Sequence, residues 1–247
     1  MPDILGFRQK IGILIPCTNS SVQPELDDLR PRGVTNHIER IQVSNVVFRE
    51  HKDAQQIAQE GLAGLDGALE RLLPCRPDRI IMAMAAPCFW GGTQGCALAR
   101  RKIEQLTELP FVLPPESLIE ALRNWPGLRR IGVITPYIPA ADEHVQSYFE
   151  AHGYETEVIG LRAGTEDSVI DITPEQLRTG FAELQRRDVD AYLHVGTSIA
   201  VARLVEPLEF WLQKPVLSVN IATYWHSLRN ADIRDQRDGF GRLMRDF

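Results

Sequence analysis

The sequence predicts an α/β protein of two pseudo-symmetric lobes, each a mainly parallel sheet flanked by helices, with a ligand cleft between them. Three observations carry that expectation. Short β-rich apolar runs alternate with longer helical stretches along the chain, the pattern of a parallel sheet whose crossovers are helices. Two of those runs, RIIMAM (79–84) and AYLHV (191–195), are almost unbroken apolar sequence, as expected of strands buried on both faces. Finally, IGILIPCTNS (11–20) is echoed by IGVITPYIPA (131–140): an apolar run, a proline and a small-residue turn, about half a chain apart.

In chain order, the apolar runs place strands near 10–16, 35–44, 78–85, 110–113, 130–135, 155–160, 189–196 and 215–219. Helical spacing fills the intervals, notably DAQQIAQEGLAGLDGALERLL (53–73), PESLIEALRNW (115–125) and PEQLRTGFAELQRR (174–187). Prolines mark helix starts. Pro24 precedes Glu25, Asp27 and Asp28; Pro139 precedes Asp142 and Glu143; Pro174 precedes Glu175, with Thr173 as N-cap. Proline fits the first helical position, and acids in the first turn meet the positive end of the helix dipole. No Gly/Ser-rich linker divides the chain, so the lobes are packed together. The expected division is 1–114 plus 220–247 for the first lobe and 115–219 for the second.

Composition narrows the function classes. Hydrophobic residues are 44% and charged residues 24% of the 247, which excludes a disordered or collagen-like chain. The run IIMAMAAPCFW (80–90) falls short of the roughly 20 residues that span a bilayer, and MPDILGFRQK lacks a signal-peptide pattern. A soluble cytoplasmic protein is expected. The net charge is -6 and no basic stripe occurs; RDQRDGFGRLMRD (234–246) mixes both signs, so nucleic acid is not an expected partner. Cys17, Cys75, Cys88 and Cys96 form no CxxC pair, the six histidines are scattered and HExxH is absent. No metal site is expected, and the thiols are expected to be free.

The echo has two explanations. A doubly wound sheet can reuse such a turn at any strand, or the chain contains an internal duplication whose halves face each other across a ligand. The second is adopted, because four small-residue turns would then converge at the strand ends, where open α/β sheets bind ligands. These are PCTNSS (16–21), AAPCFWGG (85–92), TPYIPA (135–140) and GTSIA (196–200). Their hydroxyl, amide and backbone N–H groups can cradle a carboxylate or enolate oxygen without an arginine. Each residue taken singly is more simply an N-cap or turn former, and only the four turns together point to an anion pocket. Asn19, with Thr18, Ser20 and Ser21, would donate from one side, Thr197 and Ser198 from the other, and Ala85 and Ala86 through backbone N–H alone. Tyr137 stands where the first repeat has Cys17, either as a substrate donor or as packing between lobes. Cys88, just past a strand end, is the first candidate for proton transfer; a thiol near helix N-termini has a lowered pKa. Cys17 and His194 stand behind it, although a histidine within an apolar strand is commonly a satisfied core residue.

These motifs resemble the aspartate/glutamate racemase superfamily, in its branch of maleate cis–trans isomerases and arylmalonate decarboxylases, over nearly the whole chain. IGILIPCTNSSVQPE resembles the isomerases' first strand and turn, placing Asn19 on their substrate-carboxylate asparagine. TPYIPAADEHVQSYFEAHGY resembles the segment with a substrate-contacting tyrosine, here Tyr137; NIATYWHSLRNA and DGFGRLMRD resemble the decarboxylases' ending. The resemblance implies a two-lobed fold, cofactor-free chemistry beside a carboxylate, a small carboxylic acid as substrate and at least a homodimer. Racemases and isomerases of this kind use one cysteine from each lobe; the decarboxylases keep only the second. In an ungapped alignment of the strands these positions are Met84 and Gly196, with Cys88 four residues beyond the first. The expected function is an isomerase or decarboxylase acting through an enolate-like intermediate. The alternatives are a small-acid binding or sensor protein, and a lyase or hydrolase using water or Tyr137.

Overall fold

Each half of the chain builds the same four-stranded parallel sheet in this computed structural model, which describes residues 3–247. The first half runs β1 (Gln9–Pro16), α1 (Val22–Leu29), β2 (Val34–Ile41), α2 (His51–Ala63), α3 (Leu65–Leu72), β3 (Arg79–Met82), α4 (Ala86–Phe89), α5 (Gly92–Leu106), β4 (Phe111–Val112) and α6 (Pro114–Leu122). The second runs β5 (Arg130–Thr135), α7 (Pro139–Glu150), β6 (Glu155–Gly160), α8 (Pro174–Gln185), β7 (Ala191–His194), α9 (Val205–Leu212), β8 (Val216–Ser218) and α10 (Val219–Arg229), followed by α11 (Arg242–Asp246). The strand orders are β2-β1-β3-β4 and β6-β5-β7-β8, so the predicted two-sheet α/β fold is observed. No helix among the described residues is long and apolar enough to cross a membrane.

The echoed sequence does the same work in both sheets. Ile11, Ile13, Leu14 and Ile15 of β1 are fully buried, as are Ile131, Val133 and Ile134 of β5, because each strand lies between two others under helices on both sides. Gly12 and Gly132 sit where the helix leading to the next strand crosses. A Cβ on Gly12 would lie 2.8 Å from Leu72 at the end of α3, and one on Gly132 would lie 3.0 Å from Leu184 in α8. Glycine at this point lets each helix settle close to its central strand. In both sheets the connections from the central strand diverge, to β2 and β3 or to β6 and β7, which opens a crevice at the carboxyl ends.

The helix starts at Pro139 and Pro174 stand as read, and Thr173 caps α8: its hydroxyl accepts the Gln176 N–H while Gln176 Oε1 accepts the Thr173 N–H. Two readings need correction. The segment 53–73 is two helices, broken at Gly64, where a Cβ would lie 2.7 Å from Ile41 Cγ2. Pro24 is the third residue of α1 and not the first, because Asn19 Oδ1 accepts the N–H groups of Ser21 and Val22 and starts the helix earlier.

Candidate active site

The carboxyl ends of the two sheets face each other across a cleft with two connected compartments. The inner one is lined by Pro16, Met84, Ala85, Pro136, Gly196, Thr197 and Ser198. The outer one is apolar, with Phe48, Ile57, Phe89, Trp90, Ile138 and Val145 among its walls. Ala86, Tyr137 and Glu166 line both. The strand-end prolines of the two repeats, Pro16 and Pro136, thus meet at the inner compartment, and all four predicted turns contribute to its lining, the first through Pro16 alone.

The rest of the first turn stands one layer back. Asn19 is almost fully buried; its Nδ2 donates to Ser198 Oγ at 3.0 Å and reaches Thr197 Oγ1 at 3.5 Å. Ser21 Oγ donates to the Ser198 carbonyl at 2.7 Å. The turn that carries Asn19 is itself held from β2, where Arg40 Nη1 donates to the carbonyls of Cys17 (2.9 Å) and Asn19 (2.8 Å). The structure therefore brings Asn19, Thr197 and Ser198 together from opposite lobes, with the hydroxyls at the cleft and the amide orienting them from behind. Thr18 Oγ1 is buried with no hydrogen-bond partner. No arginine or lysine stands among the lining residues of either compartment.

The proton-transfer candidates lie elsewhere. Cys88 has no exposed surface; burial, with Cys96 and Glu116 nearby, pushes its thiol well up and keeps it neutral. Its position in α4 turns it toward the core, whereas Ala86 of the same helix lines the cleft. His194 is also fully buried, with Nδ1 at 3.5 Å from Ser218 Oγ, and burial pulls its pKa down to about 3. It is a neutral core ring. Cys17 is half-buried at the end of β1, where its Sγ donates to the Val43 carbonyl at 3.4 Å and accepts the Val43 N–H at 3.5 Å. Tyr137 does reach the cleft. Burial, and then the carboxyls of Glu166 and Asp142, push its hydroxyl pKa up, so it serves only as a neutral hydrogen-bonding group.

Sequence reading missed Glu166. It precedes the short 3-10 turn Asp167–Asp171 in the connection after β6, a polar stretch with no motif. That connection is fastened to the equivalent one after β2: Phe48 N–H donates to the Gly164 carbonyl at 2.9 Å, Val47 and Thr165 form an antiparallel bridge, and Asp167 N–H donates to Asn45 Oδ1 at 3.2 Å. Glu166 is thereby held between the compartments, 8% exposed, with burial raising its pKa to about 7 and Asp167 adding to the rise.

The likeness to known proteins covers the whole chain. A family model for arylmalonate decarboxylase matches residues 77–244. The maleate isomerase of Nocardia farcinica is 26% identical over 98% of this chain and 97% of its own length, and that of Alcaligenes faecalis is 23% identical over 95% and 96%. In fold, the chain superposes on a Nocardia farcinica maleate cis–trans isomerase mutant holding a covalently bound succinylcysteine intermediate, with TM-score 0.84, 24% identity and coverage of 97% and 99%. A liganded arylmalonate decarboxylase double mutant gives TM-score 0.78 at 18% identity, covering 96% and 98%. With two like-ordered parallel sheets and a family match over residues 77–244, more than half of its length, this chain belongs to the arylmalonate decarboxylase family.

Proposed function

We propose that the protein is a cofactor-independent isomerase or decarboxylase acting on a small carboxylic or dicarboxylic acid through an enolate-like intermediate. The observation that carries this reading is the pair of hydroxyls, Thr197 and Ser198, set at the cleft by Asn19 from the opposite lobe. Neutral donors held rigidly in a largely buried site stabilise developing negative charge on a carboxylate without reorganising during the reaction. Thr197 and Ser198 would hold one substrate carboxylate, Tyr137 and the backbone N–H groups of Ala85 and Ala86 the other oxygens. The apolar outer compartment suits an aryl or alkyl substituent on the same carbon.

A binding or sensor role is the second reading, favoured by one observation. Gly196, which an ungapped alignment of the strands sets against the family's second cysteine, has φ +137°, and a Cβ there would lie 2.6 Å from Pro136 Cδ. This backbone disfavours a thiol at that point.

The test is proton NMR in D₂O with phenylmalonate, maleate and 2-substituted acids. Deuterium incorporation beside a carboxylate, isomerisation or loss of CO₂ supports the enzyme. Thermal stabilisation by an acid that never exchanges or reacts supports the binding protein.

A further inference from the structure

We propose that Glu166 is the proton donor of this cleft, delivering a proton to the carbon beside the substrate's carboxylate in place of the thiols that Met84 and Gly196 replace. This inference rests on the proposed function. Three features of the molecule support it independently of one another.

The first is place. Glu166 lines both the donor-rich inner compartment and the apolar outer one. A substrate with its carboxylate on Thr197 and Ser198 and its substituent among Phe48, Phe89 and Trp90 puts the carbon joining those groups beside Glu166.

The second is that its carboxyl is unpartnered. The residue is more than nine-tenths buried, yet its side chain makes no hydrogen bond with any described residue. Other buried acids here are matched. Glu25 accepts from the Ala202 N–H and Asn220 Nδ2, each at 2.7 Å, and Glu209 accepts from the Val216 and Arg242 N–H groups. A carboxyl in the wall of the cleft with no protein partner keeps its hydrogen-bonding capacity free for a ligand.

The third is electrostatic. The charged or titratable groups facing Glu166 are Asp167, on its own segment, and Tyr137, from the turn after β5; the α2 and α4 walls offer Ala54, Ile57 and Ala86. No cation neutralises it among the lining residues, and a bound carboxylate raises its proton affinity further. Glu166 therefore meets the substrate as a neutral acid. When CO₂ leaves, the electron pair of the broken C–C bond passes to the enediolate. The Glu166 O–H bond then breaks, its proton bonds to the α-carbon, and water reprotonates the carboxylate. With a substrate that keeps its carboxylates the roles invert: the fraction of the protein in which Glu166 is ionised takes the α-proton, leaving the enediolate, and returns one exchanged with solvent.

The test compares wild type with Glu166→Gln, which keeps shape and burial but cannot donate a carboxyl proton. With phenylmalonate as the probe of decarboxylation and 2-phenylpropionate as the probe of α-exchange, the variant should lose about 10²–10⁴-fold in turnover or exchange. It should still be stabilised thermally by the same acids. The wild-type decarboxylation rate should fall as pH rises through 7, because the acid form is required, and Glu166→Asp should keep a displaced version of that limb. A Glu166→Gln enzyme that turns over within tenfold of wild type overturns the inference and leaves the proposed function standing. A wild type that binds these acids yet neither exchanges nor converts them overturns the proposed function, and this inference with it. Should Glu166→Gln fail to fold, Glu166→Ala with added formate replaces it; concentration-dependent rescue supports the assignment, and full activity without formate overturns it.

Discussion

Asn19 holds its place because both ends of a buried amide are matched. Its Oδ1 accepts from Ser21 N–H (3.0 Å) and Val22 N–H (2.9 Å), and its Nδ2 donates to Ser198. Asn19→Ala should therefore cost about 2 kcal/mol in urea unfolding, since it orphans buried donors as well as removing bonds. Asn19→Asp separates the two roles: it keeps the acceptor for α1, but cannot donate to Ser198 and adds negative charge behind the anion site. It should raise KM more than it lowers stability. His194 tests burial alone. Its pKa is about 3 folded against 6.5 unfolded, so falling pH favours the protonated unfolded chain, and stability is lost from pH 6.5 downward. Between pH 6.5 and 4.5 that loss is roughly 2–3 kcal/mol. Asp142 and Glu166, both raised to about 7, act in the opposite sense, losing stability as pH rises from about 4 to 7. The measurement is consequently a difference: His194→Asn should show a shallower acid limb than wild type in unfolding midpoints. The meeting of Asn19 with Thr197 and Ser198 was legible in the sequence because the echoed turns converge once the halves face each other, although each residue alone is an ordinary cap or turn former. Glu166 was not, because only the joining of two distant connections gives it a site.

At the scale of elements, strands were read well and helix joints were not. A strand buried on both faces writes its length in unbroken apolar residues, as β3 and β7 do. The break between α2 and α3 left no comparable mark, since Gly64 keeps near-helical angles (φ -78°, ψ -6°) and its cause is contact with Ile41, far away in sequence. The end of β7 carries a constraint of the same tertiary kind. Gly196→Cys, the substitution that would restore a thiol at the aligned position, meets both a positive φ and the Pro136 ring. It should destabilise by roughly 1–3 kcal/mol. Pro136→Ala removes the ring, so in a double-mutant cycle the pair should be less destabilised than the sum of the single changes. Additive losses would show that backbone angle, and not the proline contact, sets the cost. Either result locates what holds the Gly196 turn in its present form.

The whole molecule is two halves fastened on either side of one cleft. Behind the cleft, Glu25 of α1 binds Ala202 and Asn220 with both carboxyl oxygens, joining the first half to the second through a buried group. In front, the connections after β2 and β6 occupy equivalent places in the two repeats and meet in the Val47–Thr165 bridge. Duplication thus supplies symmetric loops, while divergence places Phe48 on one and Glu166 on the other as walls of the same compartment. Such loops open at low free-energy cost compared with the sheets, so hydrogen exchange resolves them. An acid that binds in the cleft should slow exchange over 44–50 and 163–169 together, with little change in β1 or β5. Phe48→Pro removes the N–H that Gly164 accepts, and should speed exchange over 163–169, in the other half of the chain, while weakening the acid. Phe48→Leu keeps that N–H and should not. Unaltered exchange over 163–169 in Phe48→Pro would mean that the second connection is held by its own half, through Ala163 N–H to the Pro136 carbonyl and Thr165 N–H to Ser168 Oγ. Faster exchange would mean that the position of Glu166 depends on both repeats at once.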